Sequence, residues 1–168
     1  MTTPVATFLA HALALETEAA ERYAELADVM EVHNNPEVAG LFRQMSEFSQ
    51  LHALSVSQRA AGHQLPRMQS PDFRWNTPEP PEVGAAEATH YLMTPWHALS
   101  FALDNERRGH DYYAGTATGS DDDEVRRLAA EFAAEESEHV ATLERWLERT
   151  PRPADDWADD PDPAAVVD

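Results

Sequence analysis

The chain is 168 residues long, which suits one domain around a single sizeable core. It has no cysteine, so disulfides, zinc–thiolate sites and iron–sulfur ligation are excluded, and histidine and carboxylate are left as metal ligands. Twelve basic residues, all Arg, against 31 acidic ones give a net charge of −19. Such a surface repels nucleic acid and anionic membranes and attracts cations. A hydrophobic content of 42% argues against a disordered chain. No apolar run reaches the length of a membrane span, and the first residues lack the basic-then-apolar pattern of a signal peptide. The expectation is a soluble cytoplasmic protein without nucleic-acid or membrane partners.

Thr3-Pro4 reads as an N-cap followed by proline at the first helical position. The helix it opens runs to about Met30, and its inward stripe is Leu9, Leu13, Glu16, Ala20, Tyr23, Ala27, Met30. His33-Asn34-Asn35 stops it. Asn35-Pro36 caps a second helix to about Ala60, with the stripe Val38, Leu41, Met45, Phe48, His52, Val56. Residues 61–93 form a long proline-rich crossover, with a short helical turn expected at 84–92. His90, Tyr91, Met93, Trp96 and His97 read as its anchor. Thr94-Pro95 caps the third helix, which runs to about Thr118 and carries Leu99, Leu103, Glu106, His110, Tyr113, Ala117. Asp121 and Glu124 resemble a capping box for the fourth helix, whose stripe is Val125, Leu128, Phe132, Glu136, His139, Leu143, Trp146. Thr150-Pro151 stops it. The bundle spans 1–150, and 151–168 reads as an acidic disordered tail.

Each of these apolar seams carries an ionisable group at mid-height. A lone carboxylate on an inward face costs several kcal/mol unless it is paired. Groups at matching heights on several helices call for a shared positive partner, and a metal ion is the simplest. The two halves also repeat. A shift of 90 aligns Leu9, Leu13, Glu16, Tyr23 and Ala27 with Leu99, Leu103, Glu106, Tyr113 and Ala117. A shift of 87 aligns Val38, Leu41 and His52 with Val125, Leu128 and His139. A duplicated helical hairpin with one long crossover gives an all-α, ferritin-like four-helix bundle.

Glu16-x6-Tyr23, Glu106-x6-Tyr113 and Glu136-x2-His139, in this order on helices, resemble the ferritin-like superfamily, rubrerythrin type without a rubredoxin domain. The resemblance covers about residues 5 to 148. It implies terminal metal ligation by Glu16 and Glu106, a bridge from Glu136, and one metal on each of His52 and His139. It implies two iron ions, with manganese or zinc as alternatives that the thiolate-free donor set also allows. Tyr23 and Tyr113 would support a ligand or donate an electron; filling of the core is the plainer reading. One departure stands out: the position three before His52 is Ser49, where the family places a second bridging Glu. Glu47 points away from that face, whereas Glu135 and His110 are spare candidates. Three outcomes stay open: two metals with water or hydroxide in the missing place, one metal near Glu106, Glu136 and His139, or none.

The function implied is a non-haem metal oxidoreductase acting on ferrous iron with dioxygen or hydrogen peroxide. With no cysteine for a rubredoxin centre, electrons would come from an external donor; a homodimer is expected from bundles of this type. The alternative is a bundle with a degraded or mononuclear site in a structural or interaction role.

Overall fold

A computed structural model describes residues 2–68 and 92–156. Among the described residues are four helices: α1 Pro4–Val32, α2 Pro36–Arg59, α3 Pro95–Gly119 and α4 Asp123–Glu148. The middle of the crossover, including the turn expected at 84–92 up to residue 91, lies outside the described residues. So do His90, Tyr91 and the tail from 157 on. No described helix is long and apolar enough to cross a membrane.

The helix starts follow local chemistry, with two corrections to the sequence reading. Thr3 Oγ1 accepts from the Ala6 amide at 3.1 Å, and Pro4 sits where its missing N–H costs nothing. The α4 cap is Asp122 rather than Asp121: its Oδ1 accepts from the Val125 amide at 2.9 Å. Asn35 precedes α2 but makes no side-chain cap. Its amide instead donates to the Met93 carbonyl at 2.7 Å, tying the end of the crossover to the α1–α2 turn. That turn is tight because Asn34 takes the left-handed conformation, φ 58°, which asparagine tolerates better than most residues. Met93 is buried in the core, in keeping with an anchoring role. His97 also acts locally: its Nδ1 accepts from the Thr94 amide at 3.2 Å.

The closest packing is α1 on α2 and α3 on α4, the two hairpins of the repeat. The hairpins adjoin through α2 beside α3 and α1 beside α4. That leaves α1–α3 and α2–α4 as the diagonals of the bundle.

The core is not continuous. One apolar cluster holds Tyr23, Met30, Phe42, Met45, Leu99 and Phe101, with Leu143. The other holds Phe8, Leu9, Val56, Tyr113, Leu128 and Phe132. Between them the stripes place Glu16, Ser49, His52, Glu106, Glu136 and His139. The bundle is thus two apolar plugs separated by a polar layer. The plugs provide the hydrophobic stabilisation, roughly 1.5–3 kcal/mol for each large side chain fully buried.

Candidate metal centre

All four helices contribute to the layer. Glu16 comes from α1, His52 from α2, Glu106 from α3, and Glu136 and His139 from α4. Glu16 and Glu136 keep only 4% and 3% of their surface exposed. His52 Nδ1 lies 3.1 Å from Glu136 Oε1 and 3.6 Å from Glu16 Oε2. His139 Nδ1 lies 3.5 Å from Glu106 Oε2. The two imidazoles stack, with centroids 4.4 Å apart and 16° between planes. Tyr113 donates its hydroxyl to Glu16 Oε1 at 2.9 Å. Two of these bonds, His52 to Glu136 and Tyr113 to Glu16, run along bundle diagonals. Only side chains aimed at the bundle axis can meet that way.

The remaining candidates fall elsewhere. The Tyr23 hydroxyl accepts from Asn105 Nδ2 at 3.3 Å rather than bonding a glutamate. His110 turns to Asp111, 3.2 Å away, on the half-exposed side of α3. Glu135 does not join the inner donors; its Oε2 sits 3.8 Å from His52 Nε2, the outward nitrogen of that ring. Ser49 is buried and Glu47 is exposed, as the helical angles require. One residue escaped the sequence reading. Gly109 lies beside the centre, so that an added Cβ would touch the Glu136 carboxylate at 3.7 Å. Glycine in mid-helix costs about 1 kcal/mol relative to Ala. That cost was the available signal, and the stripe of ionisable groups drew no attention to it.

Packing carboxylates together shifts the protons of Glu106 and Glu136. Burial pushes Glu136 up to about 10, helped by its hydrogen bond and repulsion with Glu106 and opposed by His52. Burial also works against the Glu106 carboxylate, but its bonds to Glu136 and His139 outweigh that and hold it below the usual range. Glu136 therefore carries the proton of the pair and Glu106 the charge. Burial would lower His52, yet Glu136 and Glu16 override it and raise the imidazolium to about 10. Burial, followed by the charge of Glu16, keeps the Tyr113 hydroxyl protonated and able to donate.

These donors fit a transition metal. Donor atoms of His52, Glu136 and His139 already lie within 4.8 Å of one another. Glu16 Oε2 and Glu106 Oε2 each adjoin one of the two histidines. Carboxylate oxygen and imidazole nitrogen without thiolate is chemistry suited to iron or manganese.

A bundle of two hairpins with a carboxylate–histidine layer defines a class, and comparison places the chain within it. The family model described as Rubrerythrin matches residues 7–65, which cover most of α1 and all of α2. A crystal structure of an uncharacterized conserved protein from Magnetospirillum magnetotacticum MS-1 is 56% identical, with a TM-score of 0.70 over 90% of this chain and 99% of that one. No curated protein matches. The chain belongs to the rubrerythrin-type proteins of the ferritin-like superfamily.

Proposed function

We propose that this protein is a cytoplasmic non-haem metal oxidoreductase in which ferrous iron gives its electrons to dioxygen or hydrogen peroxide, and a separate donor returns the ferric iron to the ferrous state. The observation that carries the reading is the meeting of five donor side chains from four helices in one layer, around the buried Glu16 and Glu136. Bound iron would supply one-electron redox chemistry and, as a pair, two electrons to a peroxide bond. Glu136, in reach of both His52 and Glu106, would hold the metal together with them. Glu16 with His52 and Glu106 with His139 flank it. The chain's own part is to hold these donors, exclude water and handle protons. The protons held on Glu136 and His52 compete with a cation for the same atoms, so loading releases them. The apolar plugs on either side keep bulk water from the layer.

The test is metal analysis of protein purified without chelators, then anaerobic addition of ferrous iron and exposure to peroxide. Stoichiometric iron and peroxide consumption support the reading. A second reading follows from Ser49, which cannot bridge: the layer has lost its metal and the bundle serves as an interaction module. Negligible content of every transition metal, with no uptake of ferrous iron, is the outcome that favours it.

A further inference from the structure

The repeat lets each side chain of the centre be compared with its counterpart. The shift of 87 pairs His52 with His139, Ser49 with Glu136 and Phe48 with Glu135. The residue one turn before each histidine reaches across the bundle to the other histidine. Glu135 on α4 faces the outer nitrogen of His52, 3.8 Å away. Phe48 on α2 stacks on His139, with centroids 5.4 Å apart and planes at 29°. One histidine has a carboxylate behind it and the other an aromatic ring.

The shift of 90 shows a second asymmetry. It pairs Tyr113 with Tyr23 and Leu15 with Asn105. Asn105 engages the Tyr23 hydroxyl. Leu15 has no amide to do the same for Tyr113, whose hydroxyl bonds Glu16. Both differences favour the same half, the one built on Glu16 and His52. A carboxylate behind a ligating imidazole fixes its tautomer and raises its basicity; ring stacking fixes only the plane.

We propose that the two halves of the centre are unequal and fill in order. Glu16, His52 and Glu136 form the tighter position for a first divalent cation, with Glu135 and Tyr113 as positioning residues. Glu106 and His139, sharing Glu136, take a second cation more weakly. This order rests on the metal-binding reading above and goes beyond it by ranking the sites.

The experiment is anaerobic titration of the full-length, metal-free chain with Co(II), followed by visible absorption and calorimetry. Two resolved steps are expected. Glu135→Ala should weaken the first step by about 10–100-fold and spare the second. Glu135→Gln, which keeps the polar side chain but not its charge, should recover part of the loss. Phe48→Glu should tighten the second step. A Glu135 that positions His52 should also slow solvent exchange of the His52 ring N–H, seen as a shifted resonance of the cobalt-loaded protein and broadened in Glu135→Ala. Two steps of equal affinity overturn the order but leave metal binding intact. So does a first step untouched by Glu135→Ala, or a single equivalent lost in Glu106→Ala and kept in Glu16→Ala. No cobalt uptake at all overturns the order and the metal-binding reading together.

Discussion

Replacing Tyr113 by Phe removes one oxygen and leaves the ring where it is. That ring packs against Phe132 at 5.4 Å, Tyr112 at 5.4 Å and Phe8 at 6.2 Å, so the cavity created is negligible. What disappears is a hydrogen bond of 2.9 Å to the buried carboxylate of Glu16. A bond to a charged group contributes about 1.5–3 kcal/mol. For a chain of this size each kcal/mol moves the midpoint by roughly 2–4 °C, which gives a drop of about 3–12 °C. Tyr23→Phe is the matched control. Its hydroxyl only accepts from Asn105 at 3.3 Å, a neutral bond that contributes about 0.5–1.5 kcal/mol. Urea unfolding of the metal-free protein, wild type and both variants, measures the difference. Equal losses in the two variants, or a Tyr113→Phe protein within about 0.5 kcal/mol of wild type, would refute the reasoning that Tyr113 is tied to a charged Glu16.

Other outcomes follow from the same layer. His139→Ala should abolish the second equivalent in a cobalt titration, and Glu136→Ala, which removes the donor shared by both positions, should weaken both steps. Ser49→Glu should raise iron occupancy measured by elemental analysis, and destabilise the metal-free protein by several kcal/mol through a further buried carboxyl; unchanged occupancy would show that a missing bridge is not what limits loading. The pH dependence has a definite sign. His52 and Glu136 both titrate near 10 in the folded state, against ordinary values of 6.5 and 4.5. The folded metal-free protein therefore retains protons that the unfolded chain releases. The contribution of Glu136 is complete below about 4.5 and that of His52 below about 6.5; both are lost as pH rises towards 10. Each proton contributes a slope of at most about 1.4 kcal/mol per pH unit. Calorimetry between pH 6 and 9 should show a falling midpoint, and saturation with a divalent cation should flatten it.

The fold was legible because its signals were long and mutually consistent. Four stripes of helical period, prolines at three helix starts and a repeat at offsets of 90 and 87 leave little choice of architecture. The inner donors were legible for the same reason: Glu16, Glu106, Glu136, His52 and His139 each interrupt an apolar seam. The reading failed where the answer depended on a partner from another helix. Glu135 lies only about 40° from the His139 face, which suggests a ligand, yet its neighbour in space is His52 on α2. His110 shares the stripe of Glu106, but its ring is partly exposed and pairs with Asp111. Asn35 looks like a cap until the Met93 carbonyl, 58 residues away, is brought beside it. Asp121 and Asp122 compete for one capping position, and one residue of register cannot be read from periodicity. Gly109 was silent because the absence of a side chain matters only when Glu136 is seen against it.

The split core also determines how the hairpins can be aligned. Were the interior apolar from end to end, one hairpin sliding along the other by a helical turn, about 5.4 Å, would exchange one greasy contact for another. Here that slide would press Glu136 against the ring of Phe8 or of Phe42 on the other hairpin, and part His52 from Glu136 and Tyr113 from Glu16. Alternative alignments are thereby penalised before any ion arrives. The same acidic stratum that would receive iron acts as the pin that keeps the two halves from slipping.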